Sequence, residues 1–197
     1  MNRISGVILA GGKSSRFGRN KALETLGGER LIDRAVRLIK DWCDPLFVVC
    51  QKPEEYIGVE ANIIADIIPD RGPIVGLYTA LLFAPTDWVF IRAVDMPFLE
   101  KSFAELIISR ALEGNADVVV PVKEGQYEPL CACYHARCAP HVKRVIESGG
   151  GRMIQFFNRV RVNAIPEEVW KEVDPGGKSL INVNTPENLD EVLRDFS

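Results

Sequence analysis

Excess basic charge, histidine and long apolar runs are all scarce in this chain of 197 residues. Lysine and arginine number 24 against 27 aspartates and glutamates, a net charge of −3. No general basic surface follows from that balance, so nucleic acid is not expected as a main partner. No stretch approaches the roughly 20 apolar residues that a bilayer-spanning helix needs. Met1-Asn2-Arg3 runs straight into an apolar segment, and a polar loop follows from Gly11, which is unlike a secretory signal. A cytoplasmic protein without membrane attachment is therefore expected. Histidine occurs only at His135 and His141. Neither lies near the loop motifs described below, which disfavours a hydrolase built on a Ser–His–acid triad.

Cysteine is present but in an uninformative pattern. Five cysteines, an odd number without an export signal, are expected to stay reduced. Cys43 and Cys50 sit in apolar surroundings, and Cys131, Cys133 and Cys138 lack the Cys-x2-Cys spacing of a zinc site. Alternate residues of a strand share one face, so packing accounts for Cys131 and Cys133 better than metal binding does.

What remains is an alternation of strands and helices. Hydrophobic residues make up 47% of the chain, enough for one sizeable core. Ile4 to Leu9, Leu46 to Cys50, Asn62 to Ala65, Trp88 to Val94 and Ala116 to Pro121 read as strands. Leu130 to Tyr134, Arg159 to Ala164 and Leu180 to Val183 read as extended. Helical spacing covers Glu29 to Trp42, Ile74 to Ala84, Ser102 to Glu113 and Pro140 to Glu147, with a short helix at Met153 to Phe157. Thr185 and Pro186 are placed to cap and start a last helix. The alternation predicts an α/β fold, doubly wound around a mainly parallel sheet with helices on both faces. No repeat, low-complexity tract or long linker divides it, so residues 1–197 are expected to form a single domain.

Ligands of open parallel sheets bind beyond the carboxyl ends of the strands. Three loops fall there. The first, Gly11 to Lys21, follows the opening strand and carries Gly11, Gly12, Arg16 and Lys21. Adjacent glycines let the backbone approach a ligand closely, and successive amides with two cations suit a polyphosphate. It matches neither the P-loop order nor Gly-x-Gly-x-x-Gly. The second loop starts at Asp66, which could meet a ribose hydroxyl, a base N–H or a metal, or simply form an Asx turn. In the third, Asp95 ends a buried apolar strand. A carboxylate so placed suits Mg²⁺, which takes one or two carboxylates plus phosphate oxygens and water. Its alternative is capping the following helix, made awkward by Pro97 and the distance to Ser102. Farther along, Asn182 and Asn184 share one face of an extended segment, and Arg152 beside three glycines is a cation able to reach a second anion.

Leu9-Ala10-Gly11-Gly12-x-Ser14-x-Arg16-x-Gly18-x-x-Lys21, Asp66 before Gly72-Pro73, Asp95-Met96-Pro97 and Asn182-x-Asn184-Thr185-Pro186-Glu187 occur in that order. Together they resemble the molybdenum cofactor guanylyltransferases of the MobA type, within the nucleotidyltransferase superfamily. The resemblance implies a Rossmann-like fold and transfer of GMP from GTP to the terminal phosphate of molybdopterin, releasing pyrophosphate, with Mg²⁺ as cofactor. It implies that Leu9, Ala10, Gly11, Gly12 and Asp66 hold the nucleotide, that Arg16 and Lys21 contact its phosphates, and that Asp95 binds Mg²⁺. Asn182, Asn184 and Arg152 would face the pterin, and other proteins of molybdenum cofactor biosynthesis are conceivable partners. One departure is visible, since Asn20 stands where the family commonly has Asp. The rival readings are a cytidylyltransferase acting on molybdopterin or a sugar or polyol phosphate, whose members often carry Ala-Ala-Gly, and a nucleotide-binding module without catalysis.

Overall fold

Strands β1 (Ile4–Leu9), β4 (Leu46–Cys50), β5 (Asn62–Ala65), β6 (Trp88–Ala93), β7 (Val118–Lys123), β9 (Cys131–His135) and β10 (Val162–Ile165) form one sheet in the order β10-β7-β9-β6-β1-β4-β5. This is a computed structural model, and it describes residues 4–11, 20–68 and 71–183. A short strand β8 (Gln126–Tyr127) adds an eighth member by pairing with β7. β2 (Thr25–Leu26) and β3 (Glu29–Arg30) form a separate two-residue hairpin. All pairings from β6 through β1 and β4 to β5 are parallel, as is β10 with β7. β9 runs the other way, antiparallel to both β6 and β7, as does the short β8 against β7. The fold is thus the mainly parallel α/β sheet expected.

β1 and β6 are buried along their whole length. Strands covered on both faces read as nearly continuous apolar runs, here interrupted only by Ser5 in β1 and Arg92 in β6, which is why they stood out in the sequence. On one face lie α1 (Leu31–Ile39), α3 (Lys101–Leu112) and the one-turn α5 (Glu167–Trp170). Leu31, Ile32, Ala35, Val36 and Ile39 form the buried stripe of α1, joined in the same cluster by Phe103, Ile107 and Trp170. On the other face α2 (Pro73–Phe83) and α4 (Ala139–Glu147) pack with the 3₁₀ segment Met153–Arg159. Each fully buried Val, Leu, Ile or Phe contributes about 1.5–3 kcal/mol, so the two cores together supply the bulk of the folding free energy.

Several boundaries differ from expectation for local reasons. α1 starts at Leu31 because Glu29 and Arg30 are taken by the β2–β3 hairpin. The segment before Asn182 is a 3₁₀ turn, Lys178–Leu180, whose extended exit at Ile181 joins no sheet. The predicted helix from Thr185 lies outside the described residues. Cys131 and Cys133 belong to one apolar cluster, and all five cysteines are buried thiols.

Candidate active site

β1 delivers the first loop to the carboxyl rim of the sheet. The Ala10 amide donates to the Val49 carbonyl of β4 at 2.9 Å, which fixes where the chain leaves. The Ala10 carbonyl accepts the Tyr56 hydroxyl at 3.1 Å. Burial pushes that phenol up to about 12, so it remains a donor at neutral pH. At Gly11 an added Cβ would lie 3.0 Å from Asp66 Oδ2, closer than a side chain fits comfortably, so the backbone rests directly on that carboxylate. Gly12 and Arg16 lie outside the described residues.

Asn20 closes the other end of this loop. Its Oδ1 accepts the Ala22 amide at 3.1 Å and caps the 3₁₀ turn Lys21–Leu23. Its Nδ2 donates to Glu55 Oε2 at 2.5 Å and to Tyr56 Oη at 3.0 Å. An aspartate could not donate either bond. A pocket of about 210 Å³ opens between Gly11 and Asn20 on one side and Gln51, Lys52, Glu55 and Tyr56 on the other. The last four come from the outlet of β4 and the 3₁₀ turn Pro53–Tyr56, and sequence reading missed them. Their signal was available, as a polar run leaving a buried strand at the same rim.

Asp66 stands at the outlet of β5, its amide bonded to the Cys50 carbonyl at 2.8 Å. The buried Thr79 hydroxyl makes a long 3.4 Å bond to its Oδ1. Burial outweighs that bond and pushes the carboxyl up to about 6. Among the described residues no amide of its own loop reaches the carboxylate, so the Asx-turn alternative is not what the geometry shows.

β6 lies beside β1 and ends at the same level, with the Val94 amide donating to the Leu9 carbonyl at 3.2 Å. Lys21 Nζ meets Asp95 Oδ2 at 3.2 Å, with side chains 12% and 26% exposed. The other oxygen, Asp95 Oδ1, is buried and has no hydrogen-bond partner among the described residues. The N-cap position of α3 falls to Glu100, so Asp95 does not cap that helix. An acceptor oxygen left open and turned from solvent fits a hard cation, since Mg²⁺ recruits single carboxylates and completes its shell with phosphate and water. Among the described residues no group of three or more His, Cys, Asp or Glu converges on one point. Such an ion would then need substrate oxygens.

Two further predicted residues are brought to this rim by backbone contacts. The Val183 amide donates to the Asp95 carbonyl at 2.8 Å, so the exposed Asn182 is one residue from a backbone contact with Asp95. Arg152 is exposed and follows Gly151, where an added Cβ would lie 3.9 Å from the Arg71 carbonyl. Its loop therefore abuts the Gly72-Pro73 turn after Asp66. Asn184 lies outside the described residues.

A mainly parallel rim that gathers Gly11, a lysine, an open carboxylate and a polar pocket suits nucleotidyl transfer. The model of the MobA-like NTP transferase domain matches residues 6–162, and the chain belongs to that family. It is 38% identical over 192 residues to the molybdenum cofactor guanylyltransferase of Desulfosudis oleivorans, spanning 97% of this chain and 95% of that one. Among solved structures it superposes on molybdopterin-guanine dinucleotide biosynthesis protein A from Archaeoglobus fulgidus with a TM-score of 0.85. That pair is 25% identical and covers 98% of each chain. No helix among the described residues is long and apolar enough to cross a membrane.

Proposed function

We propose that this enzyme transfers GMP from GTP to the terminal phosphate of molybdopterin, releasing pyrophosphate. The observation that carries the reading is the Lys21–Asp95 pair at the rim, with Asp95 Oδ1 buried and open. The relatives' names supply guanine and molybdopterin. Asp95 would hold Mg²⁺, which when bound neutralises charge on the nucleotide phosphates and aligns them. Lys21 is held by Asp95 where an incoming polyphosphate would find it, and Gly11, which lines the pocket, would meet the nucleotide. We assign Gly12 and Arg16 to the same nucleotide side, and Asn184 with Asn182 and Arg152 to the pterin side.

An acceptor phosphate monoester, with its second pKa near ~6, is mostly dianionic at neutral pH and needs no strong general base. Its oxygen attacks the α-phosphorus of GTP, a new P–O bond forms, and the bond to the β-phosphate oxygen breaks. Both electrons go to pyrophosphate. The residues' task is to neutralise and align these groups, as in other phosphoryl transfers.

The test is GMP transfer by purified protein supplied with GTP, Mg²⁺ and molybdopterin. Turnover with GTP and loss of about a thousandfold or more in Asp95→Ala are expected, with cooperative unfolding retained. Turnover with CTP and none with GTP would overturn the guanylyl reading. Full activity of Asp95→Ala would remove the metal assignment.

A further inference from the structure

Beneath the acceptor side of the rim, one buried cation organises the backbone. Arg92, on β6, is fully buried, a rare environment for arginine. Its Nη2 donates to the carbonyls of Met96 at 2.9 Å, Phe98 at 2.6 Å and Ser179 at 3.4 Å, while Nη1 faces Cys131 Sγ at 3.0 Å. Ser179 is also fully buried and is held from two more directions. Its amide donates to Asp174 Oδ2 at 2.8 Å, and its hydroxyl accepts the Glu100 amide at 2.9 Å. Asp174, itself buried, accepts the Lys178 amide through its second oxygen at 3.1 Å.

A guanidinium keeps its charge in a protein, and an apolar side chain would occupy this position at lower desolvation cost. What an apolar residue could not do is bridge two backbone segments. One segment, 96–100, leaves Asp95. The other, 178–181, leads to Asn182. They also meet directly where the Ser179 hydroxyl accepts the Glu100 amide, and just beyond them the Val183 amide donates to the Asp95 carbonyl.

We propose that Arg92 is a positioning residue for the transfer reaction, setting the separation between the Asp95 carboxylate and the acceptor-side segment that carries Asn182. The assignment rests on the roles proposed above for Asp95 and Asn182. Arg92 acts through the backbone, because its side chain is enclosed. Alignment of nucleophile and phosphorus tolerates little error, a displacement of about 1 Å costing on the order of a hundredfold in rate.

Arg92→Met keeps an unbranched, if shorter, side chain and removes every donor, whereas Arg92→Lys restores a donor at a shorter reach than arginine. In hydrogen–deuterium exchange, the Glu100, Ser179 and Val183 amides of Arg92→Met should exchange about tenfold faster or more, with β1 and β4 amides unchanged. In the transfer assay its kcat should fall about a hundredfold while the GTP dissociation constant stays within about twofold, and Arg92→Lys should recover part of the loss. Unchanged exchange in both segments overturns the proposal, and so does wild-type turnover once they are loosened. An equal loss of GTP affinity and kcat marks a merely structural residue and also overturns it. If Arg92→Met does not fold, Ser179→Ala asks the same question through the Glu100 amide, with the same signs expected. Absence of GMP transfer in the wild-type enzyme would instead defeat the functional reading, and exchange would still decide whether the clamp exists.

Discussion

Asn20 shows how a departure from a familiar motif is accommodated by its neighbours. Its amide donates to Glu55 and Tyr56 while its oxygen caps the turn that carries Lys21. Asn20→Asp should keep the cap but lose both donated bonds and face Glu55 with like charge. A destabilisation of about 1 kcal/mol is expected by chemical denaturation, largely recovered in the double variant with Glu55→Gln. Asp66 yields a pH signature. Burial raises its carboxyl from 3.8 to about 6, so the folded state binds this proton more tightly than the unfolded one. The associated stability is complete below about pH 4 and is lost as pH rises through about 6. A shift of that size corresponds to about 3 kcal/mol, reduced to about 1 by the partial exposure of the side chain. Asp66→Asn should therefore gain about 1 kcal/mol over the wild type above pH 6, measured by denaturation across pH. If the carboxylate accepts a nucleotide N–H, GTP affinity should weaken by up to about tenfold per pH unit below 6, and this dependence should vanish in Asp66→Asn.

At the scale of elements, the seating of α1 on β1 decides how exactly β1 must be built. A Cβ at Gly6 would stand 2.7 Å from Cys43 Cβ and Ile39 Cδ1 and 2.8 Å from Leu46 Cδ2. Gly6→Ala should destabilise the protein by about 1–3 kcal/mol, seen as a lower urea midpoint at unchanged m. The long strands and helices were legible because burial on one or both faces imprints an apolar run or stripe. Strand direction was not. Nothing in Cys131–His135 says that it runs antiparallel between β6 and β7, since pairing partners far apart in sequence leave no local periodicity. The hairpin β2–β3, strand β8 and helix α5 are too short to show a period at all. Of the site, Gly11, Lys21, Asp66 and Asp95 were found because each follows a readable strand or sits in a glycine turn. Tyr56, Glu55 and Arg92 were not, because their importance comes from contacts 35 to 87 positions away in sequence.

For the molecule as a whole, the five thiols report on its integrity. All are buried and free, and desolvation pushes Cys43 and Cys138 up to about 12 and Cys50 to about 11, with Cys131 and Cys133 also raised. The thiolate is the reactive form, so a thiol reagent should label the native protein only through opening of the structure. Labelling should follow the unfolding equilibrium as urea is added, and rapid labelling of one native cysteine would contradict this packing.

The reversed strand has a consequence for where the chain can change length. Successive parallel strands need a long crossover, and in this sheet α1 lies between β1 and β4 and α2 between β5 and β6. β7, β8 and β9 are joined instead by short turns within residues 124–130, with no helix between them. Residues could be inserted or removed there without moving a helix. That stretch is thus where this sheet can change length while the helices that cover it keep their seats.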